Sequence, residues 1–451
     1  MKEGTAAVTA NTAPCASHGE PDRRTRHTSI APSAPSGGRL GWVDIARALA
    51  MLAVIFGHVG TETMGAGYTQ DGAYGLITMV INPVKLPLFF ALSGYLFSAK
   101  NDDLAYLARR TVRARLVPYA FWGSFMGLVA SAMDLLRCGF DFGSLPSLLL
   151  SDYVLPFLRG NLIWFIPCLT VLELIFALLL RLSKKRTLPL VLLTALCTVL
   201  GYIVSSRGEI LPWKIDTALT STQFMTLGYL LRRLYDGMRC DSNFHNVEKS
   251  ETEEHVDGAS ETNGTDGSNA TERAECEEKT DRDCASNAEG AARADGKNRK
   301  SAALTGLARR VLGLGAGVRT AIFVGLYAVL LASLNPVWRG CPVNMNLGGY
   351  FNPALFTVLS FVGVLAVFAL SELIGSSRVL CFIGRNTFVF FVWHMYAAKA
   401  GLALLGLLPH SGALPMTVAV LLVTVFSAAA AAVVSAAVNR FIPFSVGRPR
   451  R

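Results

Sequence analysis

Apolar residues fall in long runs separated by polar connections. Ten runs can be marked: 43–61, 76–98, 118–136, 161–181, 188–206, 217–234, 320–334, 354–373, 386–408 and 414–438. Most approach the ~20 residues that carry a helix across ~30 Å of hydrocarbon. The pattern predicts an all-α, polytopic membrane protein of about ten transmembrane helices. The sixth run is rich in Thr and the seventh is short, which makes these two the weakest. No secretory leader is expected, because the first run begins some forty residues in and no small-residue cleavage pattern follows it.

Basic residues give the orientation. They gather before the first run (Arg23, Arg24, Arg26, Arg39) and in the second connection (Arg109, Arg110, Arg113, Arg115). They recur in the fourth (Lys184, Lys185, Arg186), at both borders of the sixth (Arg232, Arg233, Arg309, Arg310) and at the end (Arg448, Arg450, Arg451). The intervening connections carry few. Lys and Arg stay on the cytoplasmic side, so the alternation predicts ten spans with both termini in the cytoplasm. An odd span count would break it.

Composition agrees with a lipid bilayer as the surrounding partner. Apolar residues make up 52% of the chain and charged ones 16%, against about 25% charged in soluble proteins. The pI of 9.2 does not signal nucleic acid, since the basic residues sit at helix ends rather than in one patch. The expected organisation is a disordered cytoplasmic tail (1–40), helices one to six (41–235), an acidic disordered cytoplasmic loop (236–317), helices seven to ten (318–439) and a basic cytoplasmic tail (440–451). The acidic loop holds about half of the chain's 32 acidic residues and few large apolar ones. Its two sequons, at Asn263 and Asn269, fall on the predicted cytoplasmic side, where glycosylation is not expected. The nine cysteines are scattered with no CxxC pair; Cys168, Cys197 and Cys381 read as apolar filler. No metal-ligand cluster, phosphate-cradling glycine loop or nucleotide fingerprint is present in the sequence, so neither a metal nor a tightly bound cofactor is expected.

Chemistry must then come from polar residues in the spans. In the first, GWVDIARALAMLAVIFGHVG (41–60), eleven residues separate Arg47 from His58. At 100° per residue they return to within about 20° of one face, ~16 Å apart along the axis. Asp44 falls near the same face. Ionisable groups on one stripe of a membrane helix are costly and mark a functional site; the alternative is a polar contact between helices. His394, in FIGRNTFVFFVWHMYAAK, stands between a packing role and a site role. In VKLPLFFALSGYLFSAK, Lys85 lies at the outer end of the second span. Pro87 should free a carbonyl one turn earlier. Ser93 and Gly94 fit close helix packing as well as a site.

These residues resemble the acyltransferase-3 family of bacterial integral-membrane acyltransferases, nearest its fucose-4-O-acetylase-like branch. Asp44, Arg47 and His58 fit the family's first-helix signature, and LPLFFALSGYLF (86–97) its second-helix block. NLIWFIPCLTVLELIF (161–176), LPWKIDTALTSTQFMTLGYLLRR (211–233), VNMNLGGYFNPALF (343–356) and FIGRNTFVFFVWH (382–394) resemble later blocks. The resemblance covers about 42–235 and 318–438.

The resemblance implies transfer of an acyl group, most often acetyl, from cytoplasmic acyl-CoA as co-substrate to a hydroxyl of a cell-envelope sugar or polysaccharide. Such a transfer needs a base at the hydroxyl and donors for the developing oxyanion. His58 would be the base, past the midplane. Arg47 would bind phosphates or the acyl carbonyl, with Asp44 orienting it. Lys85, Ser93, Trp164, Asp216, Asn386 and His394 are candidate substrate-binding residues, and Glu173 is a further mid-span carboxylate. Asp216 could instead cap its helix. Two rivals remain at this stage. One is a secondary transporter of a sugar or lipid-linked substrate, against which stands the absence of a repeated half. The other is a non-catalytic subunit of an envelope-polymer assembly, against which stand the intact Arg47 and His58.

Overall fold

The computed structural model describes residues 40–97, 109–208, 211–254, 299–338, 343–350, 352–409 and 411–446. The chain runs through α1 (Gly41–Gly65), α2 (Gly72–Ile81), α3 (Lys85–Tyr95) and α4 (Val117–Arg137, entered from a π-helical turn, Val112–Leu116). It continues through α5 (Phe165–Leu182), α6 (Thr187–Ser206), α7 (Ile215–Glu254), α8 (Arg299–Leu312) and α9 (Ala316–Trp338). Last come α10 (Pro353–Ile374), α11 (Arg378–Arg385), α12 (Thr387–Gly406) and α13 (Met416–Phe441). A two-residue hairpin pairs Val343 with Tyr350 and Asn344 with Gly349. Among the described residues, nine helices are long and apolar enough to cross a membrane, with α2 and α3 counted as one and α4 extended back to Arg109. The all-α polytopic architecture read from the sequence is present.

The sixth expected span, 217–234, lies in α7 and does not meet that apolarity test. Its polarity has a structural reason. The helix packs against α3, α5 and α6, and Asp216, Thr217, Thr220, Ser221, Thr222, Gln223 and Thr226 are all buried. Thr226 pairs with Thr194 at 2.9 Å, Thr222 with Thr198 at 3.3 Å and Thr220 with the Tyr350 hydroxyl at 3.0 Å. Each such bond between membrane helices is worth about 0.6 kcal/mol. A helix surrounded by protein needs no apolar coat. Its approach to α3 is set by two glycines: a Cβ on Gly94 would lie 1.9 Å from the Met225 carbonyl oxygen, and one on Gly228 1.8 Å from that of Ala91. Close passage of backbones at small residues is the usual device for helix association in lipid.

The second span is broken at Asn82, Pro83 and Val84. Pro87 has no N–H to offer the carbonyl four residues earlier, which is that of Pro83. The buried Ser360 hydroxyl of α10 donates to it at 2.6 Å. The Tyr327 hydroxyl of α9 donates to the Val80 carbonyl at 2.6 Å. Carbonyls released within a membrane helix have to be satisfied by neighbours, and here α9 and α10 supply the donors.

α1 sits centrally, packed against α3, α10, α11, α12 and α13. In its most apolar stretch 67% of residues are buried, against 22% for α6, whose Leu188, Leu192 and Leu196 are exposed. An exposed apolar surface of this kind suits a lipid environment.

Two segment borders differ from the sequence reading. α7 continues to Glu254 and α8 begins at Arg299, so both ends of the 236–317 segment are helical. A helix once formed propagates at the cost of one residue per bond gained, so α7 runs on beyond its packed part. The expected disorder at 255–298, and that of the tail 1–39, falls outside the described residues. The C-terminal tail is not free up to Val446: Trp122 donates through Nε1 to the Ser445 carbonyl at 3.1 Å, and the Phe444 ring meets Phe121 at 5.8 Å.

Candidate active site

Asp44 anchors the inner end of the site. Its side chain is 2% exposed, one oxygen 3.6 Å from Nη1 of Arg47 and the other 3.3 Å from Nε of Arg385. Arg385 lies at the end of α11, and Gly384 before it explains the contact. A Cβ there would fall 1.9 Å from the Asp44 carbonyl oxygen, so only glycine lets α11 close onto α1 at this level. Asn386 follows. Its amide donates to the Phe382 carbonyl at 2.8 Å and accepts from Asn439 of α13 at 2.7 Å. A buried carboxylate with a guanidinium on each side is a stable arrangement, and removing either partner would be expensive.

His58 lies ~16 Å further along α1. The residue is exposed, and neighbours from two helices stand beside it. The His394 ring of α12 is 5.1 Å away, centroid to centroid. The Lys85 ammonium passes over Gly57, where a Cβ would stand only 2.7 Å from Nζ, and is held by the Asn82 side-chain oxygen at 2.9 Å. Asn82 belongs to the break in the second span, so that break positions Lys85 as well as bending the helix. His394 is buried. Its Nδ1 faces the Phe391 and Phe390 carbonyls at 2.7 and 3.2 Å.

The sequence candidates therefore divide. Asp44 and Arg47 join Arg385 and, next to it, Asn386. His58, Lys85 and His394 form the second group. Ser93 spends its hydroxyl on the Phe89 carbonyl at 2.9 Å and serves helix packing with Gly94. Trp164 meets Phe165 edge-on at 6.0 Å, and among the described residues its ring touches neither histidine. Phe165 is the member of that pair turned to the site, through Phe391 at 5.8 Å, which in turn lies 5.9 Å from His394. Glu173 is engaged by the Arg115 guanidinium, which also donates to the Leu169 carbonyl at 3.3 Å; this is an internal ion pair.

Asp216 belongs to a separate buried group. Thr217 donates to it at 3.2 Å and to the Met345 carbonyl at 2.7 Å, and Lys214 donates to the Asn346 carbonyl at 2.9 Å. The blocks 211–233 and 343–356 are thus packed on each other. Sequence reasoning left Arg385 and Asn82 without a role. Arg385 stood in a quoted block as its basic position; Asn82 carried no signal, because its partner is set by the break.

Residues 40–239 match the acyltransferase-3 family model, described as "Acyltransferase domain". The chain carries an acyltransferase-3 domain. With nine apolar helices among the described residues, it is a multi-pass membrane acyltransferase. No curated protein and no solved structure matches it. The matched acyltransferase-3 region spans α1 to α6 and most of the described part of α7, including Asp44, Arg47, His58 and Lys85. Arg385 and His394 come from beyond it.

Proposed function

We propose that this acyltransferase moves an acyl group, acetyl by preference, from cytoplasmic acyl-CoA to a hydroxyl of a cell-envelope sugar or polysaccharide. The observation that carries the reading is the group at His58: an accessible imidazole flanked by an ammonium and a second imidazole, with the Arg47 guanidinium toward the start of the same central helix and that of Arg385, from α11, beside Asp44 there. Arg47 and Arg385 would meet the anionic donor, since guanidinium forks suit phosphate and carbonyl oxygens. His58 would take the proton of the acceptor hydroxyl as its oxygen bonds the acyl carbon. Lys85 would offset the charge on the oxyanion. The C–S bond then breaks, and the proton held by His58 leaves on the thiol. The likeness of the sequence to the fucose-4-O-acetylase-like branch supports a sugar hydroxyl and acetyl. The Lys/Arg pattern supports a plasma membrane with cytoplasmic termini.

The test compares envelope glycans by mass spectrometry in a strain lacking this chain and in the same strain carrying variants. Loss of O-acetyl groups in the deletion and their return with the wild type are expected. His58→Ala should lower transfer at least about 100-fold, the range for a lost general base, with the protein still present in the membrane. Arg47→Lys should recover little, because a point charge does not replace a fork. Unchanged acetylation in a well-expressed His58→Ala strain would refute the mechanism.

A further inference from the structure

His394 offers a detail that the proposed reaction does not by itself require. Nδ1 of this buried ring faces two backbone carbonyls, which only accept. The neutral ring must therefore carry its hydrogen on Nδ1. Its other nitrogen, Nε2, is left with a lone pair, and that atom is buried without a hydrogen-bond partner. The residue is 3% exposed. A buried acceptor left unmet is costly and calls for a donor. Two rings stand by it: Phe391 at 5.9 Å, which has no N–H, and His58 at 5.1 Å, which has one.

We propose that His394 is the positioning residue of His58: its Nε2 accepts the His58 ring N–H, fixing the tautomer in which the other His58 nitrogen carries the lone pair. This rests on the reading of His58 as the base. A base oriented by a third group that holds its tautomer is the general logic of an activated catalytic pair. Here a second imidazole fills the place more often taken by a carboxylate. A neutral acceptor of this sort spares the membrane interior a further charge. No proton need reside on Nε2 during turnover. When His58 takes the hydroxyl proton, its imidazolium keeps the same N–H on His394, and the backbone carbonyls of α12 hold His394 in place.

The test uses full-length protein in detergent, with acetyl-CoA as donor and total envelope saccharide of the host as acceptor. Release of CoA and label in the saccharide are both measured. His394→Leu removes the acceptor at similar volume, and His394→Gln restores an oxygen near the position of Nε2. His394→Leu should lower kcat about 100-fold, the scale of general acid–base contributions, while the KM for acetyl-CoA stays within about twofold of wild type. His394→Gln should recover at least about a tenth of the wild-type kcat, at unaltered KM. Thermal melting of all variants in the same detergent separates folding from catalysis. Full kcat in His394→Leu, with His58→Ala inactive, overturns the positioning role and leaves the base reading intact. Equal loss in the Leu and Gln variants, with lowered melting temperature, overturns it in favour of a structural role. Full activity of His58→Ala, or no transfer by the wild type, overturns both.

Discussion

At the residue scale, the proposed site depends on what is absent at position 57. Gly57 leaves the space that the Lys85 ammonium fills next to His58. A methyl group there meets the flexible end of a lysine rather than backbone, and Lys85 can swing aside at little cost to folding. Gly57→Ala should therefore leave the melting temperature within about 1 °C, roughly 1 kcal/mol for a chain of this size. Activity should nevertheless fall about 100-fold, the order expected for loss of one oxyanion donor. Turnover at wild-type level in Gly57→Ala would show that Lys85 is not needed where it stands. Arg47, His58 and Lys85 could be found from sequence because charged and titratable side chains are conspicuous in apolar runs. Gly57 and Asn82 could not, since their roles exist only against Lys85.

At the element scale, one carboxylate joins two helices that are far apart in sequence. Asp71 accepts the Tyr74 N–H at 2.8 Å and so caps α2. It also accepts the Thr417 N–H at 2.8 Å, along with the Thr417 hydroxyl, at the start of α13. Anions are favoured at helix N-termini. The bonds from Thr417, with a smaller contribution from the Tyr74 amide, hold the Asp71 carboxyl below the usual carboxylate range. A depressed carboxyl contributes stability that is fully present above its unfolded value, about 4, and is lost as pH falls through the folded value. The wild type should melt above Asp71→Asn at pH 7, and the gap should narrow as pH falls below about 4. A gap of the same size at pH 3 would count against this capping. Prolines and glycines act at the same scale. Pro87 was expected to free a carbonyl, and it does; that Ser360 would answer it followed only from the packing of α10.

At the scale of the whole molecule, the matched region and the remainder are mutually dependent. α1 carries Asp44, Arg47 and His58, and four of the five helices packed on it, α10, α11, α12 and α13, lie outside residues 40–239. They bring Arg385 and His394 to it. The expected orientation rests on the basic connections rather than on the packing. Reporter fusions at positions 10, 270 and 451 should read cytoplasmic, and those at 68, 145, 209, 345 and 411 external. An external result at 270 would mean that α7 does not cross with the nine apolar helices, and the inside and outside of every later connection would exchange.

The sequence by itself determined the class of protein and half of the candidate site. Apolar run length is a local property fixed by bilayer thickness, and the helical period puts Arg47 and His58 on one face without reference to any other helix. The acyltransferase-3 resemblance lay in the same short blocks. Only the tertiary structure decided what those residues meet. The meeting of His58 with His394, and of Asp44 with Arg385, spans more than three hundred residues, and no period within a helix encodes it. The same holds for α7: a Thr-rich helix is poor in lipid and well placed inside a bundle, and the difference lies in its neighbours.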